Sequence, residues 1–255
     1  MSLLTVDEYI KARETYNYDS DECFFIIKQT GKLNFAGAFE GIYGRKSPKH
    51  RPMGINLRMF EKICQEVFND YFIAQTENSL SRWQYENLHA ISCAIVYWKM
   101  SSQGGRATIC SDRVRTNWNA VVKRQLMEAY ERKSLAGFKI PGVRIPTATA
   151  FLRFLYPDEF GIMDSRIVGK HTQKNGITSL NLRKDGYIID TKSNEKKYYN
   201  EYVAFLRNEA NWLNKTGAEF IDYNEDGQEI KSCFRPCDVE MALFNSTESN
   251  KGFPI

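Results

Sequence analysis

Apolar positions along most of this chain recur at helical spacing. Phe60, Ile63, Cys64, Val67, Phe68 and Tyr71 follow the i, i+3, i+4, i+7, i+8, i+11 series that puts one apolar stripe on a helix. A second helix is expected over 80–99, with Leu88, Ile91, Ile95 and Trp98 inward and the polar, glycine-containing run 101–105 ending it. A third is expected over 117–133, with Val122, Leu126, Ala129 and Tyr130 on one side. After a turn-rich link at 137–147, the stripe Ala148, Phe151, Leu152, Leu155 predicts a fourth. Pro146 falls in its first turn, where a missing N–H costs nothing, and Tyr156, Pro157 and Asp158 stop it. A long helix over 195–214 carries Tyr199, Tyr202, Val203, Leu206, Ala210 and Leu213 inward, and a short one spans 238–244. The period changes at 177–190, where Leu180 and Leu182 lead into an Asp185-Gly186 turn that returns through Tyr187 and Ile189, a β-hairpin pattern. Residues 1–54 show no clear period, only the apolar run Cys23 to Ile27 and scattered glycines, and close in a loop-like stretch at 45–54. The expectation is a mainly α fold with a small β-hairpin near 177–190, an N-terminal region 1–54 and a helical domain 55–255.

Composition narrows the class. The chain has 255 residues, 42% hydrophobic and 26% charged, which suits a globular protein with a sizeable core. No apolar run approaches the roughly 18 residues of a membrane span, and residues 1–20 are too charged for a secretory signal, so a cytoplasmic protein with no membrane partner is expected. The six cysteines form no CxxC pair and there are only three histidines, so neither a metal site nor a cofactor is expected. Cys233 and Cys237 read as a chance pair in a reducing compartment. The net charge of +4 says little, but its distribution says more. Residues 99–153 hold eleven Lys and Arg against three acids, so this segment is +8 and the rest −4. A basic stretch in a near-neutral chain suits a face that meets a polyanion.

Within that stretch, Ile140-Pro141-Gly142-Val143 joins two predicted helices. A glycine turn of this kind can aim backbone N–H groups at a phosphate oxygen from the positive end of the second helix, with Lys139 and Arg144 adding charge. Residues 140–168 as a whole, IPGVRIPTATAFLRFLYPDEFGIMDSRIV, resemble the core signature of the helix-hairpin-helix DNA glycosylase superfamily. Ile140 to Val143 match its hairpin, Thr147-Ala148 its helix start, and Ile162-Met163-Asp164 the approach to its essential aspartate. The resemblance implies a helix-hairpin-helix unit over about 119–168 and duplex DNA as partner. Its DNA-binding residues are then Lys139, Gly142, Val143, Arg144 and Thr147, with Asp164 as catalytic carboxylate. There a carboxylate beside an extruded nucleotide stabilises positive charge on the sugar, or activates water, as the glycosidic bond breaks.

Two departures shape the expected chemistry. Arg144 replaces the second hairpin glycine, and Pro146 stands 18 residues before Asp164, where lyase-active members carry a nucleophilic lysine. A Schiff-base step is therefore excluded unless Lys139 or Lys170 reaches the site, and the cysteine-cluster motif of one branch is absent. Asp164 also reads as a helix N-cap before Ser-Arg-Ile-Val, with Arg166 set to meet a phosphate or an acid, and Asp238 as a cap of the last helix. Trp83, Trp98, Trp118 and Trp212 fit either a base pocket or the core. The leading expectation is a DNA repair glycosylase without lyase activity. The alternatives are a non-catalytic DNA-binding protein on the same scaffold and an α-helical interaction protein, and no substrate base can be read.

Overall fold

The computed structural model describes residues 2–16, 24–29, 32–36, 53–100, 105–118, 123–133, 135, 143–168, 180–184, 186–224 and 226–248. It is mainly helical and divides into two compact units. An inner unit spans 18–155 with 223–228, and a terminal unit joins both ends of the chain, 1–17, 156–222 and 229–255.

The inner unit opens with a three-stranded antiparallel sheet in the order β2-β1-β3: β1 Phe24–Gln29, β2 Lys32–Ala36 and β3 Met53–Ile55. Phe25 pairs with Ala36 on one side and Gly54 on the other. These strands fall in the region expected to show no clear period, although β2 alternates over Lys32-Leu33-Asn34-Phe35. Helix α2, Leu57–Thr76, starts at Asn56, whose side chain accepts from Met59 N–H at 2.8 Å. All six residues of its stripe are buried, as the spacing predicts. Helix α3 is Arg82–Met100, α4 Gly105–Thr116, α5 Lys123–Arg132 and α6 Ile145–Leu155. The run 101–105 is expected only to end a helix, yet α4 starts within it at Gly105. Helix α4 is too polar to show a stripe, its buried positions including Cys110 and Val114.

Helix α6 is the most deeply buried of these, with ten of its eleven residues inside, because Ala148, Ala150, Phe151, Leu152, Phe154 and Leu155 cover its whole circumference. It packs on α2 and α3, and Phe154 meets Phe60 and Trp98 edge-on at 4.9 and 5.0 Å. Arg153, also fully buried, is charge-balanced by Glu61 of α2 at 2.7 Å.

The terminal unit begins with α1, Val6–Glu14, opened by a Thr5/Glu8 capping box. It continues through a three-residue helix α7, Ser165–Ile167, and a long helix α8. Helix α8 consists of an α-helical segment Lys192–Lys197, a π-helical turn Tyr198–Val203 and an α-helical segment Ala204–Lys215. The short strands β4 Phe220–Tyr223 and β5 Glu229–Ser232 pair with each other, and α9, Pro236–Glu248, ends the described chain. Helix α9 packs against α1 and α8, so both ends of the chain build one core.

Three expectations change here. Residues 177–179 and 185 of the expected hairpin lie outside the described residues, and the described remainder shows one bridge, Leu182 with Ile188, around a turn with Gly186 at φ 82°. Buried Asn194 staples this turn by donating to Asn181 and Ile189 carbonyls and accepting from Asn181 N–H, which supplies the bonds a ladder would have made. In α8 the π turn advances the stripe, so Tyr198 rather than Tyr199 is fully buried. Asp238 stands in the first turn of α9, after Pro236, and reaches back to accept from Arg235 N–H at 3.0 Å, the return half of a capping box rather than the cap itself.

Candidate functional site

Of the hairpin residues, Lys139, Ile140, Pro141 and Gly142 lie outside the described residues, as do Lys170 and Asp185. Val143 is buried, and Arg144 is exposed immediately before α6. The Arg144 carbonyl accepts from Thr147 N–H at 2.9 Å and from Ala148 N–H at 2.8 Å. Pro146 offers no N–H and the Thr147 side chain is buried, while Arg144 is an exposed cation at this end of α6. Around the inner unit, Arg113, Arg115, Arg124, Arg132 and Lys133 are exposed as well, although Arg115 is paired with Asp112 at 2.9 Å.

Asp164 belongs to the terminal unit. It is only 7% exposed and N-caps α7, its Oδ1 accepting from Arg166 N–H at 2.9 Å and from Arg166 Nε at 3.4 Å. The Arg166 guanidinium in turn lies 3.8 Å from the centre of the Phe244 ring, an aromatic face on α9 that holds it in place.

The turn leading to Asp164 is held more firmly than a cap requires. Tyr198 Oη donates to the Gly161 carbonyl at 2.9 Å and Tyr202 Oη to the Ile162 carbonyl at 2.8 Å, both within the core. Gly161 leaves no room for a side chain: a Cβ there would lie 2.6 Å from Leu206 Cδ1 and 2.8 Å from Glu240 Cβ. Burial, then the Glu240 carboxylate and more weakly Asp164, push the Tyr202 phenol well above its usual range. Burial, followed by Tyr199 and Glu240, does the same at Tyr198. Both hydroxyls therefore stay protonated and act as donors at any physiological pH.

Sequence places Tyr202 on the inward stripe without a role, and singles out neither Tyr198, Glu240 nor Gly161. Their signal is the doublet Tyr198-Tyr199 followed by Tyr202, and it becomes readable only once the π turn is known. Among the tryptophans, Trp98 lies in the inner core and Trp212 packs edge-on against Tyr9 at 6.4 Å, while the Trp83 side chain lies outside the described residues. Among the described residues no group of three His, Cys, Asp or Glu side chains is placed to hold a metal ion, and no helix is long and apolar enough to cross a membrane. Comparison of the chain with family models, curated proteins and solved structures finds no match.

Proposed function

We propose that the chain binds duplex DNA and, as a glycosylase without lyase activity, hydrolyses the N-glycosidic bond of an extruded base, with Asp164 as the carboxylate that meets positive charge on the sugar. The observation that carries this reading is the fixing of Asp164. A three-residue helix gains little from a cap, yet a nine-tenths buried carboxylate is kept there, on a turn held by two buried phenols and a glycine with no space for a side chain. Burying an ionised group is costly. Rigid placement of a charge is what stabilisation of a developing cation requires. Arg144 and the other exposed cations of the inner unit supply the phosphate contacts, and the lack of an amine at Pro146 removes the Schiff-base route.

A second reading, a DNA-binding protein without catalysis, is favoured by the Arg166 guanidinium on Asp164 Oδ1, which offsets the negative charge that catalysis would use. One experiment separates the two. The wild type and Asp164→Asn are given duplexes bearing a panel of damaged and mismatched bases, and base release and affinity are both measured. Release by the wild type and its loss in the variant, with affinity kept, supports the glycosylase reading. Binding without release by either supports the second, and no binding at low salt leaves only an interaction protein.

A further inference from the structure

The inner unit contains a cluster of side chains that the reading above does not use. Tyr71 comes from α2, Tyr85 and His89 from one face of α3, Trp118 from just beyond α4, and Lys123 from the first position of α5. Trp118 meets Tyr85 edge-on at 6.1 Å and His89 at 4.9 Å, and Lys123 Nζ lies 5.5 Å from the ring centres of both Tyr71 and Tyr85. Three polar atoms of this cluster are buried with no hydrogen-bond partner among the described residues: Tyr71 Oη, Trp118 Nε1 and His89 Nε2. Folded proteins satisfy nearly all such groups, so three in one cluster point to something that is met only when bound. Tyr71 and Trp118 are 0% and 3% exposed, whereas Tyr85, His89 and Lys123 are half-buried. Burial, then the charge of Arg115, lowers the His89 pKa, so its ring is neutral. Lys123 makes no ion pair with a carboxylate among the described residues.

We propose that this cluster is a stacking site for one nucleobase with its phosphate. An indole N–H can only donate, and a phenol readily does, so the occupant must carry acceptors such as the carbonyl oxygens of a base. The half-buried rings of Tyr85 and His89 supply the faces, backed by Trp118, and base stacking on aromatic side chains tolerates any sequence. Lys123 supplies the charge for the phosphate. Interleaved rings and cations are the pattern by which proteins hold unpaired nucleic acid, and a free nucleotide offers the same groups. The site goes beyond the Asp164 reading and stands without it.

The test titrates the full-length chain with thymidine monophosphate and, separately, with a short oligothymidylate, reading tryptophan emission. A saturable quench by either ligand is expected, with most of the quench lost in Trp118→Phe. Tyr71→Phe, which keeps the ring and removes only the hydroxyl, should weaken binding about tenfold. Lys123→Ala should weaken it and flatten its salt dependence. Quenching by the mononucleotide shows that base and phosphate suffice, and quenching by the oligonucleotide alone shows that the site takes an unpaired strand. The proposal is overturned if neither ligand quenches, if Trp118→Phe quenches like the wild type, or if Tyr71→Phe and Lys123→Ala both bind unchanged. Asp164→Asn should leave the quench intact, so nucleotide binding without base release would keep this site and remove the glycosylase reading.

Discussion

At the scale of single residues, the proposed chemistry turns on Asp164 and the glycine three positions before it. Asparagine at 164 keeps the shape and most of the cap but carries no negative charge. Asp164→Asn is therefore expected to abolish base release in an excision assay while leaving the dissociation constant for DNA within about twofold, since phosphate contacts set affinity. Gly161→Ala tests the support beneath. Its new methyl would meet Leu206 Cδ1 at 2.6 Å and Glu240 Cβ at 2.8 Å, and overpacking of this kind costs about 1–3 kcal/mol, to be read as a lower denaturation midpoint at unchanged m-value. The sequence shows Asp164 as a cap and Arg166 as its neighbour, because both relations are local. It cannot show that Gly161 is crowded, because Leu206 and Glu240 arrive from helices far along the chain.

At the scale of elements, the π turn in α8 is the decisive feature. Periodicity places a helix over 195–214 and most of its buried stripe, including Tyr202, Val203, Leu206, Ala210 and Leu213. It assumes a constant period, so it puts Tyr199 inward where the wider turn buries Tyr198. Tyr198 and Tyr202, about one turn apart, both reach carbonyls of the Asp164 turn, at Gly161 and Ile162. Tyr202→Phe leaves the Ile162 carbonyl buried without that donor, at an expected cost of about 1–3 kcal/mol. Its signature is local: the Arg166 amide, held by Asp164, should exchange hydrogen faster by more than the drop in global stability accounts for, whereas equal acceleration across the terminal unit would show a purely structural role. The bridged turn at Leu182 and Ile188 has a similar cause. Alternation of Leu180, Leu182, Tyr187 and Ile189 is a fair strand signal, but the competing bonds come from Asn194, thirteen residues beyond Asn181, and no pattern of apolar positions encodes them. Strands β1 and β3 and helix α4 are illegible for the complementary reason, since their sequences carry neither period, and the alternation of β2 spans only Lys32 to Phe35, too short to stand out.

At the scale of the whole molecule, the chain ends share one unit, and a buried cation ties them. Arg13 of α1, 2% exposed, lies 3.1 Å from Asp238 of α9 and 3.5 Å from Asp222 of β4, with its guanidinium over the Phe220 ring. Arg13→Met would remove that cation from Asp222 and Asp238, while Asp238 keeps Arg235 at 2.8 Å, so a loss of about 3 kcal/mol is expected in chemical denaturation, still above the median of an exposed pair. The charge of the chain is likewise a property of the whole. The +8 of residues 99–153 is plain in the sequence, and in the described part of that segment the structure buries Arg153 against Glu61 while leaving Arg113, Arg124, Arg132, Lys133 and Arg144 exposed. Arg153 therefore contributes to the core and not to any contact with a polyanion. If about four of the exposed cations neutralise phosphates, log K for duplex DNA should fall with log salt at a slope near −3.6, about −0.9 per phosphate. Arg144→Ala should flatten that slope by about one phosphate and weaken binding alike on every sequence, because a phosphate contact carries no base information. Any base release should leave an intact abasic strand, and borohydride should trap no covalent adduct, because Pro146 presents no amine. A slope near zero would remove DNA as the partner of this face. A trapped adduct would place a lysine from elsewhere in the chain at the sugar and overturn the hydrolytic mechanism built on Asp164.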